Sequence, residues 1–258
     1  MAIQAAIGQA FDLDGRDACT NAIRSAMDEL KKSTISIAFI FASHEYDAED
    51  VMTGAISQLG NTPIIGMSTS GEISNQGSKQ RSVTVALLSG RDIVAKSDWV
   101  ASSDENVQHP LEELIANISA GFQPNLSSLM LISDGLNGNA VGLSDSPRPW
   151  NGHVFGCTSS GELSGGYTVQ FGGSKVGTGG IAGAIISGAR VGIGVAHGWQ
   201  QVGASFKLSD VDNRVVGSLD NQPASESYSR LLGYENGDWG NPPLNTLVRL
   251  YPLGIQGE

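Results

Sequence analysis

Basic residues are scarce and scattered. Lys and Arg together number 15 against 26 Asp and Glu, for a formal net charge of −11. Phosphate backbones and anionic lipid are gripped by clustered Lys and Arg. The longest basic feature is Lys31-Lys32, at the end of a helical segment, where the pair complements the helix dipole. No nucleic acid is expected among the partners. Cysteine is nearly absent too: Cys19 and Cys157 are too few for a disulfide framework. No run approaches the ~18 uninterrupted apolar residues of a membrane span. Met1 to Gly8 shows neither the basic nor the apolar region of a signal peptide. A cytoplasmic protein with no membrane insertion is therefore expected, and Asn117-Ile118-Ser119 and Asn125-Leu126-Ser127 carry no weight as glycosylation sites. The four histidines, His44, His109, His153 and His197, show no i, i+4 pairing and no companion cysteines, which argues against zinc. No metal and no cofactor is expected.

Glycine, by contrast, is plentiful at 34 residues, roughly twice the average usage of about 7%. Such a chain has many tight connections and places where the backbone approaches something closely. Its most informative feature is a repeat. Ile64-Ile65-Gly66-Met67-Ser68-Thr69-Ser70-Gly71-Glu72-Ile73-Ser74 recurs as Val154-Phe155-Gly156-Cys157-Thr158-Ser159-Ser160-Gly161-Glu162-Leu163-Ser164, at an offset of 90 residues (156 − 66). The flanks recur in order. Buried strands are expected at Ser36–Ser43 and Ser127–Asp134, each preceded by a helix, Ala18–Lys31 and Leu111–Ala120. A further strand follows each motif, Val83–Leu88 and Ile181–Ile186.

A period of this length is too long for a solenoid and points to an internally duplicated α/β core, two-layer or sandwich-like, with mixed β-sheets. Between strand and motif the first copy has a helix, Ala48–Leu59, with Asp47 as its N-cap. In the second copy Gly135–Pro149 reads as a loop. The C-terminal half is β-rich, with strands expected at Tyr167–Phe171, Gly180–Ser187, Val191–Ala196, Ser205–Leu208 and Arg214–Leu219. A short helix follows at Pro223–Gly233. We read residues 1–233 as one ligand-binding domain, with copies at about 1–100 and 101–190, and residues 234–258 as a tail.

The motif Pro63-Ile64-Ile65-Gly66-Met67-Ser68-Thr69-Ser70-Gly71-Glu72-Ile73 resembles the FIST family. So do the strand end Val154-Phe155-Gly156, the turn Ala196-His197-Gly198-Trp199-Gln200-Gln201-Val202-Gly203 and the helix start Asp220-Asn221-Gln222-Pro223-Ala224. Asn221 stands where the family more often has glycine, and Cys157–Glu162 replaces a glycine- and aspartate-bearing segment. Leu250-Tyr251-Pro252-Leu253-Gly254 is similar to the opening of the family's C-terminal domain, which is otherwise missing. The resemblance implies a small-ligand sensory domain of signal transduction, with amino acids as ligands and a signalling output protein or domain as partner. It implies no catalytic residues.

The residues themselves offer several chemistries. Gly66, Ser68, Thr69, Ser70, Gly71 and Glu72, with Gly156, Cys157, Thr158, Ser159, Ser160, Gly161 and Glu162, form two loops at strand ends. Their backbone N–H groups and hydroxyls suit a carboxylate, and their glutamates suit an ammonium group. Equally, the loops are tight turns whose glutamates cap backbone N–H groups. His197 and Trp199 are the further candidate ligand contacts, with turn-fixing and aromatic packing as their structural alternatives. Cys157 with His153 or His197 is the nucleophile–base pair of a hydrolase or transferase reading, against which stands its place opposite Met67, a packing position. Neither Ser motif completes G-x-S-x-G, and Gly172–Gly180 lacks the P-loop spacing, so a hairpin connection is expected there. A small-molecule-binding domain is the favoured reading. An enzyme and a ligand-free scaffold remain the alternatives.

Overall fold

Alternation along one strand sets the layering of the chain. A computed structural model describes residues 3–254 apart from 32, 103–106, 139, 162–165, 195, 197, 213–214, 236–238, 240 and 242. In β2 (Ile37–Ser43), Ile37 and Phe39 face one side and pack with Ile65, Met67, Met130, Ile132, Ala182 and Ala184. Ala38, Ile40 and Ala42 face the other side and pack with Ala18, Ala22, Ile23, Val51 and Ala55. A strand buried on both faces reads as a continuous apolar run, which is why Ser36–Ser43 stands out in the sequence.

The chain divides into two compact units, Met1–Ile193 and Gly194–Glu258. The first unit runs β1 (Gln4–Ala10), α1 (Gly15–Glu29), β2, α2 (Ala48–Leu59), β3 (Ile64–Thr69), β4 (Glu72–Ser74), β5 (Gly77–Lys79) and β6 (Val83–Ser89). It continues with β7 (Val94–Ala101), α3 (Gln108–Ser119), β8 (Ser127–Ser133), α4 (Ala140–Asp145), β9 (His153–Thr158), β10 (Gln170–Gly172), β11 (Lys175–Gly177) and β12 (Gly180–Ser187). Two sheets result, in the orders β1-β6-β2-β3-β10-β11 and β7-β12-β8-β9. They stack face to face over the Ile37–Ile65–Met130–Ile132 cluster. Helices α1 and α2 cover the outer face of the first sheet, and α3 that of the second. The product is a helix–sheet–sheet–helix sandwich of mixed sheets, as the sequence implied.

Strand for strand, β1-β6-β2-β3 matches β7-β12-β8-β9. Register agrees as well. β2 and β3 run parallel with Ile40 opposite Gly66, and β8 and β9 run parallel with Leu131 opposite Gly156. A Cβ at Gly66 would sit 2.1 Å from the Ile40 carbonyl oxygen, and one at Gly156 would sit 2.0 Å from that of Leu131. No side chain fits at either place, so both copies of the motif need glycine there.

Local chemistry accounts for the helices. Asp14 caps α1 by accepting the N–H of Asp17 at 2.8 Å, and Asp47 caps α2 by accepting that of Asp50 at 3.0 Å. The buried stripe of α1 is small (Ala18, Cys19, Ala22, Ala26), so the helix lies close on β1. A Cβ at Gly8 would meet the Ala22 carbonyl oxygen at 1.9 Å.

Several expectations need correction. The second-copy connection contains a short helix, α4, where a loop was expected. Of Tyr167–Phe171 only Gln170 and Phe171 are strand, the element running on to Gly172; of Ser205–Leu208 only Leu208 is strand, and the described residues of Val191–Ala196 form no regular element. The strands β1 and β7 were not anticipated. Gly172–Gly180 was expected to close a hairpin between its flanking strands; instead β11 within it doubles back on β10, with Gly172 opposite Lys175, and β10 and β12 join different sheets.

The second unit has an antiparallel sheet of β13 (Leu208–Asp212), β14 (Val215–Leu219) and β15 (Gln222–Pro223), followed by α5 (Ala224–Leu231) and α6 (Leu244–Leu250). Gly233 ends the α5 segment at φ 89°, a conformation suited to glycine.

Candidate functional site

The two motif loops meet. Ser70 donates its N–H to Ser160 Oγ at 3.2 Å and its hydroxyl to the Gly161 carbonyl at 3.1 Å. Ser68 donates its hydroxyl to the Ser160 carbonyl at 2.8 Å, and Ser160 returns its N–H to the Ser68 carbonyl at 3.0 Å. Cys157 Sγ lies 3.6 Å from Met67 Sδ. Positions 70 and 160, like 67 and 157, are equivalent in the repeat, so corresponding residues of the two halves face each other.

Most polar atoms of these loops are committed to the fold. Glu72 is 2% exposed. Its Oε1 accepts the Thr69 hydroxyl at 2.5 Å, and its Oε2 accepts the Ser82 N–H at 2.9 Å and the Ser82 hydroxyl at 2.7 Å. That is the capping arrangement, with both carboxylate oxygens occupied. Ser159 Oγ is shared among the Ser133 carbonyl, Thr168 Oγ1 and Gln170 Nε2. Thr158 and Cys157 are exposed, and partial desolvation pushes the Cys157 thiol up from its ordinary value. Glu162 and His197 lie outside the described residues. Trp199 belongs to the second unit and is 58% exposed.

A cavity of about 210 Å³ opens beside the loops, at the carboxyl end of β2. Its floor is Ala42, Ser43 and His44. One wall is the start of α2, from Asp47 to Val51, and the other is Tyr167, Val169 and Phe171 with Val176 to Thr178 of the β10–β11 hairpin. The first half thus supplies floor and helix, and the second half supplies the opposite wall. Ser68 is the motif residue that reaches it. His44 is held there through Nδ1, 3.2 Å from the Thr69 carbonyl oxygen. The lining includes the carboxylates Asp47 and Glu49 and, among the described residues, no Lys or Arg. Val51, Val169, Phe171 and Val176 give it an apolar side.

The matching end of β8 holds a buried carboxylate instead. Asp134 is fully buried, its Oδ1 accepting the N–H groups of Leu136 and Asn137, both at 2.8 Å, and its Oδ2 that of Gly179 at 2.9 Å. Burial opposes its ionised form. The N–H groups of Asn137, Gly179 and Leu136, with the Thr168 hydroxyl, outweigh that and hold its carboxyl below the usual range.

Sequence reasoning therefore found the loops and missed most of the cavity. Ser43, His44, Asp47, Tyr167 and Thr178 come from three separate stretches. The one available signal was positional: β2 leads through a short turn into a capped helix, and ligands of α/β sheets gather at such strand ends.

The FIST N domain family matches residues 36–222, most of the chain. The chain belongs to that family. FIST N domains are small-ligand sensory domains of signalling proteins. No curated protein matches the chain. Among solved structures, a cyanuric acid hydrolase from A. caulinodans is similar at 11% identity over 71% of each chain, with a TM-score of 0.36. No helix among the described residues of this FIST N domain is long and apolar enough to cross a membrane.

Proposed function

We propose that this FIST N domain binds a small apolar amino acid in the cavity at the carboxyl end of β2. The observation that carries the reading is the cavity's composition. Asp47 and Glu49, with no facing cation among the described residues, favour an ammonium group, the Ser43 and Thr178 hydroxyls suit a carboxylate, and Val51, Val169, Phe171 and Val176 suit an apolar side chain. A purely anionic ligand fits this lining less well. Glu72 then serves as an internal brace instead of an ammonium acceptor.

The cavity also supports a way of reporting occupancy. Its two walls come from different halves, so a ligand touching both favours the arrangement in which the β10–β11 hairpin lies against α2. That is a population shift, which a signalling output protein or domain in the cytoplasm then reads. The matched strand orders and registers support an internal repeat as the origin of the two halves. We further propose that the domain is not an enzyme. Cys157 packs against Met67, and its thiol is pushed away from the thiolate form that a nucleophile needs.

The test is thermal unfolding of the whole chain against apolar amino acids, their decarboxylated amines and their deaminated acids. Stabilisation by an amino acid, partly retained by its amine and lost with its acid, is expected. At 100 times the Kd it amounts to about 2.7 kcal/mol. A flat panel from a well-folded protein contradicts the reading, and stabilisation by acids alone overturns the assignment of Asp47 and Glu49.

A further inference from the structure

The β10–β11 hairpin belongs in sequence to the second half, yet it pairs with the first sheet. Phe171 stands opposite Gly66 on β3 and is 1% exposed, covering the strand where no side chain fits. The junction runs one way only. Among the described residues β9, the counterpart of β3, hydrogen-bonds to β8 alone and ends its sheet. Its Gly156 is exposed where Gly66 is buried. Among the described residues the first-half hairpin, β4–β5, pairs only with itself, and Ile73 at its centre is 79% exposed.

This free hairpin stands towards its own sheet as the docked one does. Glu72 clamps the Ser82 N–H ahead of β6, and Gln170 clamps the Gly180 N–H, at 3.2 Å, at the start of β12. Ile73 occupies the place in its hairpin that Phe171 occupies in the other. One chain therefore carries an open acceptor edge and an unused donor hairpin of the kind already joined within it. Such head-to-tail junctions continue until a ring closes, and an open edge recruits a strand.

We propose that β9 takes the β4–β5 hairpin of a second copy of this chain, antiparallel, with Ile73 over Gly156 as Phe171 lies over Gly66. The N–H of Thr158 serves this junction: Ser159 turns its own N–H to the Ser133 carbonyl of β8, and Ser68, the counterpart of Thr158, gives its N–H to the carbonyl of Val169, just ahead of β10, at 2.9 Å.

Sedimentation velocity of the whole chain tests this, with Thr158→Pro to remove the N–H that the β9 edge donates and Ile73→Asp to charge the incoming hairpin. The wild type is expected to sediment above its 26.8 kDa chain mass, as a dimer or a longer head-to-tail assembly that grows with concentration. Each variant alone is expected to be monomeric, with unchanged far-UV circular dichroism. Mixed together they are expected to form a one-to-one complex, because Thr158→Pro keeps its hairpin and Ile73→Asp keeps its edge. A misfolded variant cannot give that rescue. A monomeric wild type up to its solubility limit overturns the proposal, as does association that survives both substitutions or variants that fail to rescue each other.

Discussion

Gln170 stands in the second half where Glu72 stands in the first. Each side chain accepts the N–H of the residue ten positions on, Ser82 from Glu72 and Gly180 from Gln170. Each also meets the equivalent hydroxyl, Glu72 through Thr69 Oγ1 and Gln170 through Ser159 Oγ. Gln170, eight residues beyond the Gly-Glu pair of the second motif, thus holds the strand that follows it. Ser70 and Gly71 alone link β3 to β4, whereas residues 159–169 link β9 to β10. The longer link lets the second hairpin reach β3 and carries Tyr167 to the cavity.

If Glu72 is a brace, its loss is felt in stability. Glu72→Ala leaves the buried Ser82 N–H and hydroxyl without an acceptor, and should cost about 3 kcal/mol in urea unfolding. Glu72→Gln keeps one acceptor oxygen, as Gln170 does, and should cost about 1 kcal/mol. Ile73→Ala beside it should change stability by less than about 0.5 kcal/mol.

Gly66→Ala and Gly156→Ala should each destabilise by about 1–3 kcal/mol, because the new methyl meets a strand carbonyl in both halves. Equal losses from the two variants would show that the halves impose the same steric demand. A tolerated alanine at either place would contradict the close strand approach seen at Ile40 and Leu131.

Asp134 gives the fold an acid limb. Its folded-state pKa lies below the unfolded value of about 3.9. Its contribution is therefore complete above that pH and is lost as pH falls through the folded value. Asp134→Asn should lower stability at neutral pH, since an amide cannot accept from all three N–H groups, and should flatten the decline below about pH 4. Urea midpoints across that range check both effects.

The two thiols should report their surroundings. Cys19 is buried and its thiol is pushed up to about 12, so it should react with iodoacetamide only on unfolding. Cys157 is exposed and should react in the native protein, slowly at neutral pH and faster as pH rises past the ordinary thiol value. Rapid labelling of Cys157 at neutral pH would favour the nucleophile reading instead.

What the sequence made legible was what sterics repeat. Gly66 and Gly156, the buried strands β2 and β8, and the Asp47 cap each leave a local mark. The strands β1 and β7 left little: β1 is small-residue backbone pressed under α1 at Gly8, and β7 is an edge strand carrying Lys96, Ser97 and Asp98. The cavity left none as a unit. Its lining comes from Ser43, Asp47 and Thr178, which only the crossing of the β10–β11 hairpin brings together. Equal spacing also hid the part played by Gln170, because an added link of chain after Ser159 does not show in a matched motif.

The most direct test is a titration of ¹⁵N-labelled whole chain with L-leucine, beside the Asp47→Asn variant. Asparagine keeps the helix cap and removes the charge. The account predicts amide shifts at Ser43, His44, Asp47 to Val51, Tyr167 to Phe171 and Val176 to Thr178, with binding weakened about tenfold in the variant. Shifts confined to Trp199 and its neighbours, or an unchanged spectrum, would contradict it.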